Sequence, residues 1–211
     1  VDSVCSTSTP TDEYFTFSLQ NTLNMIDYCY FPCLQYYICK ERINDLISIM
    51  ATMTQKVFEY YKLDFKELEL DTDFNIVLNM LNHLFYAFET KNDYLIKGLC
   101  FSVSMFEMAL IEKILRNIFI VVNKDTYIKN DWSSLGNLLN DKNQTMVELL
   151  GIDNVKILSY FLIKCNNIGF NYRNNFAHYK NIKSEDFNYG TILKINQILI
   201  CIINQLSLNI T

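Results

Sequence analysis

Between Leu34 and about Tyr61, apolar side chains return every three or four positions. Ile38, Ile43, Leu46, Ile49, Met50, Met53, Val57 and Tyr60 fall near one face, which predicts a helix. Asp71-Thr72-Asp73-Phe74 reads as a second helix start, with acids in the first turn complementing the dipole. Behind it, Ile76, Val77, Met80, Leu81, Leu84 and Phe88 keep the same steps. A long helix is predicted from about Asp93 to Val121. Ser133 or Ser134 is expected to cap a short one through Leu139, and another covers Val155–Cys165. Ser184-Glu185-Asp186-Phe187 offers a cap for a final helix toward Leu208. No Asn-Gly or Asp-Gly hairpin turn occurs and no period-two alternation is sustained, so strands find no support. The fold class is all-α.

Composition narrows the class further. Of 211 residues, 50% are hydrophobic and 19% charged, with only 5 Gly and 2 Pro. A disordered tail needs the opposite balance, and a low-complexity chain needs far more turn-formers. The opening VDSVCSTSTPTDE is small and polar and reads as a frayed end. The chain begins at Val1 without Met or a basic-then-apolar leader, so it is expected to be a processed product or a fragment of a longer protein. Seven Cys lack the spacing of a redox or zinc motif, and His83 and His178 are the only histidines. Free thiols in a reducing compartment follow, hence a cytoplasmic location. No metal site and no cofactor are expected. Leu95–Val122 and Ile192–Ile210 approach the hydropathy of membrane spans, but Lys97, Glu107, Glu112, Lys113 and Arg116 interrupt the first. Lys194, Asn196, Gln197, Asn204 and Gln205 interrupt the second. Both read as core helices, and no membrane partner is expected.

Charge is unevenly spread. Residues 1–100 carry 7 basic and 14 acidic side chains, and residues 101–211 carry 11 and 9, which together give the net −5. No Asp or Glu falls between Asp153 and Glu185, whereas Lys156, Lys164, Arg173, Lys180 and Lys183 do. A polyanion can dock on such a stretch although the whole chain is acidic.

Inside that window lies Gly169-Phe-Asn-Tyr-Arg173-Asn-Asn-Phe-Ala-His178-Tyr-Lys180. RNA carries its own nucleophile, the ribose 2′-OH. Its cleavage needs a base, an acid for the departing 5′-oxygen, and positive charge on the transition state. Imidazole suits the proton transfers, with an unperturbed pKa of about 6.5. A guanidinium grips phosphate oxygens bidentately and keeps its charge. Arg173 and His178 are therefore the candidate catalytic pair, with Asn174 as the polar group that orients them. Five residues on a helix turn through about 500°, so the pair does not share a face of one regular helix. It converges where the Arg sits at a helix start or bend, or where a second subunit contributes. A two-fold dimer would bring two such pairs around one cleft.

Arg173-Asn174-x-x-x-His178 resembles the R-x4–6-H signature of the HEPN superfamily, in which a polar residue often follows the Arg. Glu107–Arg116 (EMALIEKILR), Ser134-Leu-Gly-Asn-Leu-Leu139 and the Gly169–His178 box stand in the order seen in one uncharacterised HEPN-clan family. The resemblance covers about residues 95–211 and departs at two places: Tyr172 replaces Leu, and Tyr179 replaces the Gly after the His. It implies an antiparallel HEPN-like helical bundle over 95–211, with residues 1–94 as an N-terminal helical region of unknown role. It also implies a homodimer acting as a metal-independent endoribonuclease, with RNA as partner. Such proteins often serve as toxins or antiphage-defence effectors, sometimes with an antitoxin or regulatory partner.

Lys180 and Lys183, with Tyr172 and Tyr179, are the candidate RNA-binding side chains; the two tyrosines serve equally well as bundle packing. Packing is the expected role of Phe176. Glu112 and Arg116, one turn apart, are expected to form a structural pair beside the site. His83, on a helix rich in core residues, reads as non-catalytic. The alternative function is a non-catalytic dimerisation, RNA-binding or nucleotide-binding module built on the same box.

Overall fold

The computed structural model describes residues 42–123, 134–163, 171–177 and 188–210. Among them eight helices and no strand occur, so the fold is all-α. They are α1 (Ile43–Tyr60), α2 (Leu70–Glu89), α3 (Asp93–Val122), α4 (Leu135–Leu138), α5 (Gln144–Leu150), α6 (Ile152–Leu162), α7 (Tyr172–Ala177) and α8 (Tyr189–Leu208).

α3 is the centre of the arrangement. It packs along α2 on one side and α8 on another, and it also touches α4, α5 and α7. Several neighbours demand a broad apolar face, which Val103, Met108, Leu110, Ile111, Ile114, Leu115 and Ile118 supply. α8 is enclosed by α3, α1 and α5. Its Ile192, Leu193, Ile195, Leu199, Ile202, Ile203 and Leu206 are accordingly all buried. Each such side chain contributes about 1.5–3 kcal/mol relative to leaving it in water. One continuous core, from Ile43 to Leu206, draws on helices from both sides of residue 94.

Two helices, Asp93–Val122 and Gly190–Leu208, are long and apolar enough to cross a membrane by length and composition alone. Within the bundle, 61% of the apolar window of the second is buried against other helices.

The helix ends explain where the sequence pattern and the structure part. α8 starts at Asn188, whose side-chain oxygen accepts from the Thr191 amide at 3.0 Å, and not at Ser184, which lies outside the described residues. α6 runs over Ile152–Leu162. At its start Gly151 (φ +82°) breaks from α5 and Asn154 Nδ2 donates back to Leu150 O at 2.7 Å. At its end Ile163 turns extended (φ −129°, ψ 161°), while Cys165 lies outside the described residues. α5 has no counterpart in the pattern reading; Asn143 caps it through the Met146 amide at 3.2 Å. Ser134 precedes α4 but makes no side-chain cap bond. On α1, Ile49 and Tyr60 face solvent, while Ile47, Thr54 and Phe58 fill the inner side instead. Phe88 and His83 of α2 are also exposed.

Candidate functional site

Short helix α7 carries the Arg173 motif and lies against α3 and α6. Its entry is set by Asn171, whose φ of +49° is left-handed, a conformation Asn tolerates better than most side chains. Asn171 O accepts from the Asn175 amide at 2.9 Å, closing the first turn. Its Oδ1 also accepts from Asn174 Nδ2 at 2.9 Å, and Asn174 Oδ1 in turn accepts from Arg173 Nη1 at 3.2 Å. The asparagine after the arginine thus holds one edge of the guanidinium. Arg173 stands in the first helical turn of α7.

The far side of the guanidinium meets α3. Arg173 Nε lies 3.8 Å from Glu112 Oε2, and Arg116 Nη2 donates a short hydrogen bond to Glu112 Oε1. The Glu112 side chain is 16% exposed, against 43% for Arg116 and 39% for Arg173. One largely covered carboxylate thus lies between two half-exposed guanidiniums, one of them the motif arginine. Next along α3, Lys113 Nζ binds Asp73 of α2 at 2.6 Å, fixing the helix from the opposite flank. Glu112 and Arg116 do pair one turn apart, and the pair extends to the motif arginine, which the sequence did not reveal.

Tyr172 lies with its ring stacked on Phe161 of α6, centroids 6.5 Å apart and planes at 19°. It packs against the core and is half-buried, so one ring face is already occupied. His178, Tyr179, Lys180 and Lys183 lie outside the described residues, as does the side chain of Phe176. Among the described residues no cluster of His, Cys, Asp and Glu could hold a metal ion.

A further feature escaped the sequence reading. On the outward side of α3, Leu95, Gly98, Ser102, Met105 and Ala109 follow one another at alternating steps of three and four, and the same line continues through Glu112 and Arg116. These five are exposed or half-exposed, and a side chain built at Gly98 would meet nothing. Tyr94, at the head of the line, is 93% exposed. A 3–4 repeat of mostly small residues is the spacing with which two helices approach closely. Its signal was the period itself, masked by the apolar residues on the buried side of the same helix.

Comparison with known proteins finds no matching family model, no matching curated protein and no matching solved structure.

Proposed function

We propose that the chain is a metal-independent endoribonuclease of the HEPN type, acting as a homodimer, and that Arg173 and His178 carry the chemistry. The observation that supports this reading best is the setting of Arg173. A half-exposed guanidinium is held from one side by Asn174 and from the other by Glu112, where α7 meets α3. A side chain positioned by two partners before substrate arrives loses little entropy on gripping phosphate.

In this reading the 2′-oxygen attacks phosphorus as its proton passes to an imidazole. The bond to the 5′-oxygen breaks as that oxygen receives a proton, and Arg173 stabilises charge on the equatorial oxygens. The products are a 2′,3′-cyclic phosphate and a 5′-hydroxyl. One imidazole does not serve as base and acid at the same instant, so a second copy is needed. The outward line on α3 ends at Glu112 and Arg116. Two chains meeting along it bring two Arg173 groups toward one cleft. A toxin or antiphage role, with a neutralising partner, belongs to the same proposal, as does action in the cytoplasm.

The test is RNA incubated with the protein in excess EDTA, beside His178→Ala and Arg173→Ala. Cleavage by the parent alone supports the reading; cleavage that needs a divalent ion, or survives both substitutions, contradicts it. A non-catalytic dimerisation module is the second reading. It is favoured by the fact that Arg173 is already engaged by Glu112 and Asn174. It requires an RNase-inactive parent in which Arg173→Ala weakens self-association.

A further inference from the structure

Glu107 sits on the inner side of α3, fully removed from solvent, and the chemistry above makes no use of it. A buried carboxylate is costly unless its charge and lone pairs are matched. Glu107 has one hydrogen-bond partner, Asn196 of α8, whose Nδ2 donates to Oε1 at 2.7 Å and also to Ile192 O at 3.2 Å. The other atom of each group, Glu107 Oε2 and Asn196 Oδ1, is buried without a partner. Both are acceptors when the carboxyl is ionised, so neither can satisfy the other. A proton on Oε2 changes this, because an acid and the facing edge of a primary amide each present one donor and one acceptor, while the second amide N–H serves Ile192 O.

We propose that Glu107 is held as the uncharged acid. Its Oε2–H donates to Asn196 Oδ1, closing a two-hydrogen-bond ring that latches α3 to α8 and opens when the proton is lost. One proton then satisfies two of the orphaned atoms in this part of the core, where such orphans are rare. Ser104 Oγ, nearly one turn earlier on α3, is also buried and unpartnered, so it supplies no donor to Oε2.

Complete burial agrees, pushing the carboxyl well above its usual range, against the Asn196 bond, which pulls the other way. Among the described residues no charge takes part in that shift. Asp73 is engaged by Lys113, and Arg173 by Glu112. Lys194 and Cys201 on α8, His83 on α2 and Glu148 on α5 are not among its causes.

The sign follows from linkage. The unfolded chain releases this proton near pH ~4.3, whereas the folded chain keeps it to higher pH. The latch therefore contributes fully below the unfolded value and loses its contribution as pH rises toward the folded one. Folding takes up a proton throughout that window.

The experiment compares thermal melting of the full chain and Glu107→Gln from about pH 5 to about pH 9. Glutamine copies the acid's donor and acceptor at every pH. The expected result is a parent whose melting temperature falls with pH more steeply than that of the variant, with the variant more stable at the alkaline end. Asn196→Asp, which adds a second carboxyl to share the proton, is expected to steepen the fall. In the infrared, the parent at neutral pH should show a protonated-carboxyl C=O band that Glu107→Gln lacks. Equal pH slopes for parent and Glu107→Gln, a Glu107→Gln chain that does not fold, or no such band would overturn the proposal.

Discussion

Glu112 Oε2 lies 3.8 Å from Arg173 Nε while its other oxygen accepts from Arg116, so one carboxylate ties the motif helix to the central helix. Both arginines are more than a third exposed, and pairs of that kind are worth about 0–1 kcal/mol. The contact matters for aim more than for stability. Glu112→Gln is therefore expected to leave the melting temperature within a few degrees of the parent while lowering RNA cleavage about tenfold. Parallel melting curves and initial cleavage rates check this; an unchanged rate removes Glu112 from the account.

Arg173→Lys separates charge from geometry. Lysine keeps the positive charge but loses the planar fork and the Nε group that faces Glu112. Removing one preorganised donor to transition-state charge costs about 10²–10³ in rate. Arg173→Lys is expected to fall in that range, close to Arg173→Ala, with RNA affinity reduced far less. Single-turnover rates beside filter-binding affinities distinguish the two effects.

The line of small residues on α3 is expected to be where two chains meet. Ala109→Asp changes an exposed position, so the helix itself should tolerate it. The expected outcome is a shift from dimer to monomer in sedimentation equilibrium, with cleavage lost in proportion and helix content unchanged. A monomeric parent, or a dimer indifferent to the aspartate, places the interface elsewhere.

The cap of the last helix sits at Asn188 through its bond to the Thr191 amide. Asn188→Ala is expected to destabilise the chain by about 1 kcal/mol. Urea unfolding of the variant beside the parent checks this.

Cys100 is buried in α3, and burial pushes its thiol up to about 11. Near neutral pH it carries neither the thiolate nor the exposure that alkylation needs. Iodoacetamide labelling read by mass spectrometry is expected to leave Cys100 unmodified in the native chain and to modify it in urea.

Long helices were legible in the sequence because their period repeats many times. The expected span from Asp93 to about Val121 and the observed Asp93–Val122 differ by one residue. Short elements were not. α5 has seven residues, of which only Met146, Leu149 and Leu150 are buried, too few to establish a period. On α1 the inner face is turned toward Ile47, Thr54 and Phe58 while Ile49 and Tyr60 meet water, because spacing alone does not say which flank meets α8. At the site, Arg173 and Asn174 were legible from local chemistry and their hydrogen bond follows from adjacency. The reach of Glu112 to Arg173 depends on how α7 docks on α3, a long-range fact that no local pattern encodes. Glu107 is the same case: its partner Asn196 lies on the last helix.

The central claim is attack by the ribose 2′-oxygen, and one substrate comparison tests it most directly. An RNA oligonucleotide is compared in EDTA with the same strand carrying 2′-deoxyribose at the mapped cleavage position. The account predicts that the all-ribose strand yields 2′,3′-cyclic phosphate and 5′-hydroxyl ends, and that the deoxy position is not cut. Cutting of both strands alike, or an intact all-ribose strand, would contradict it.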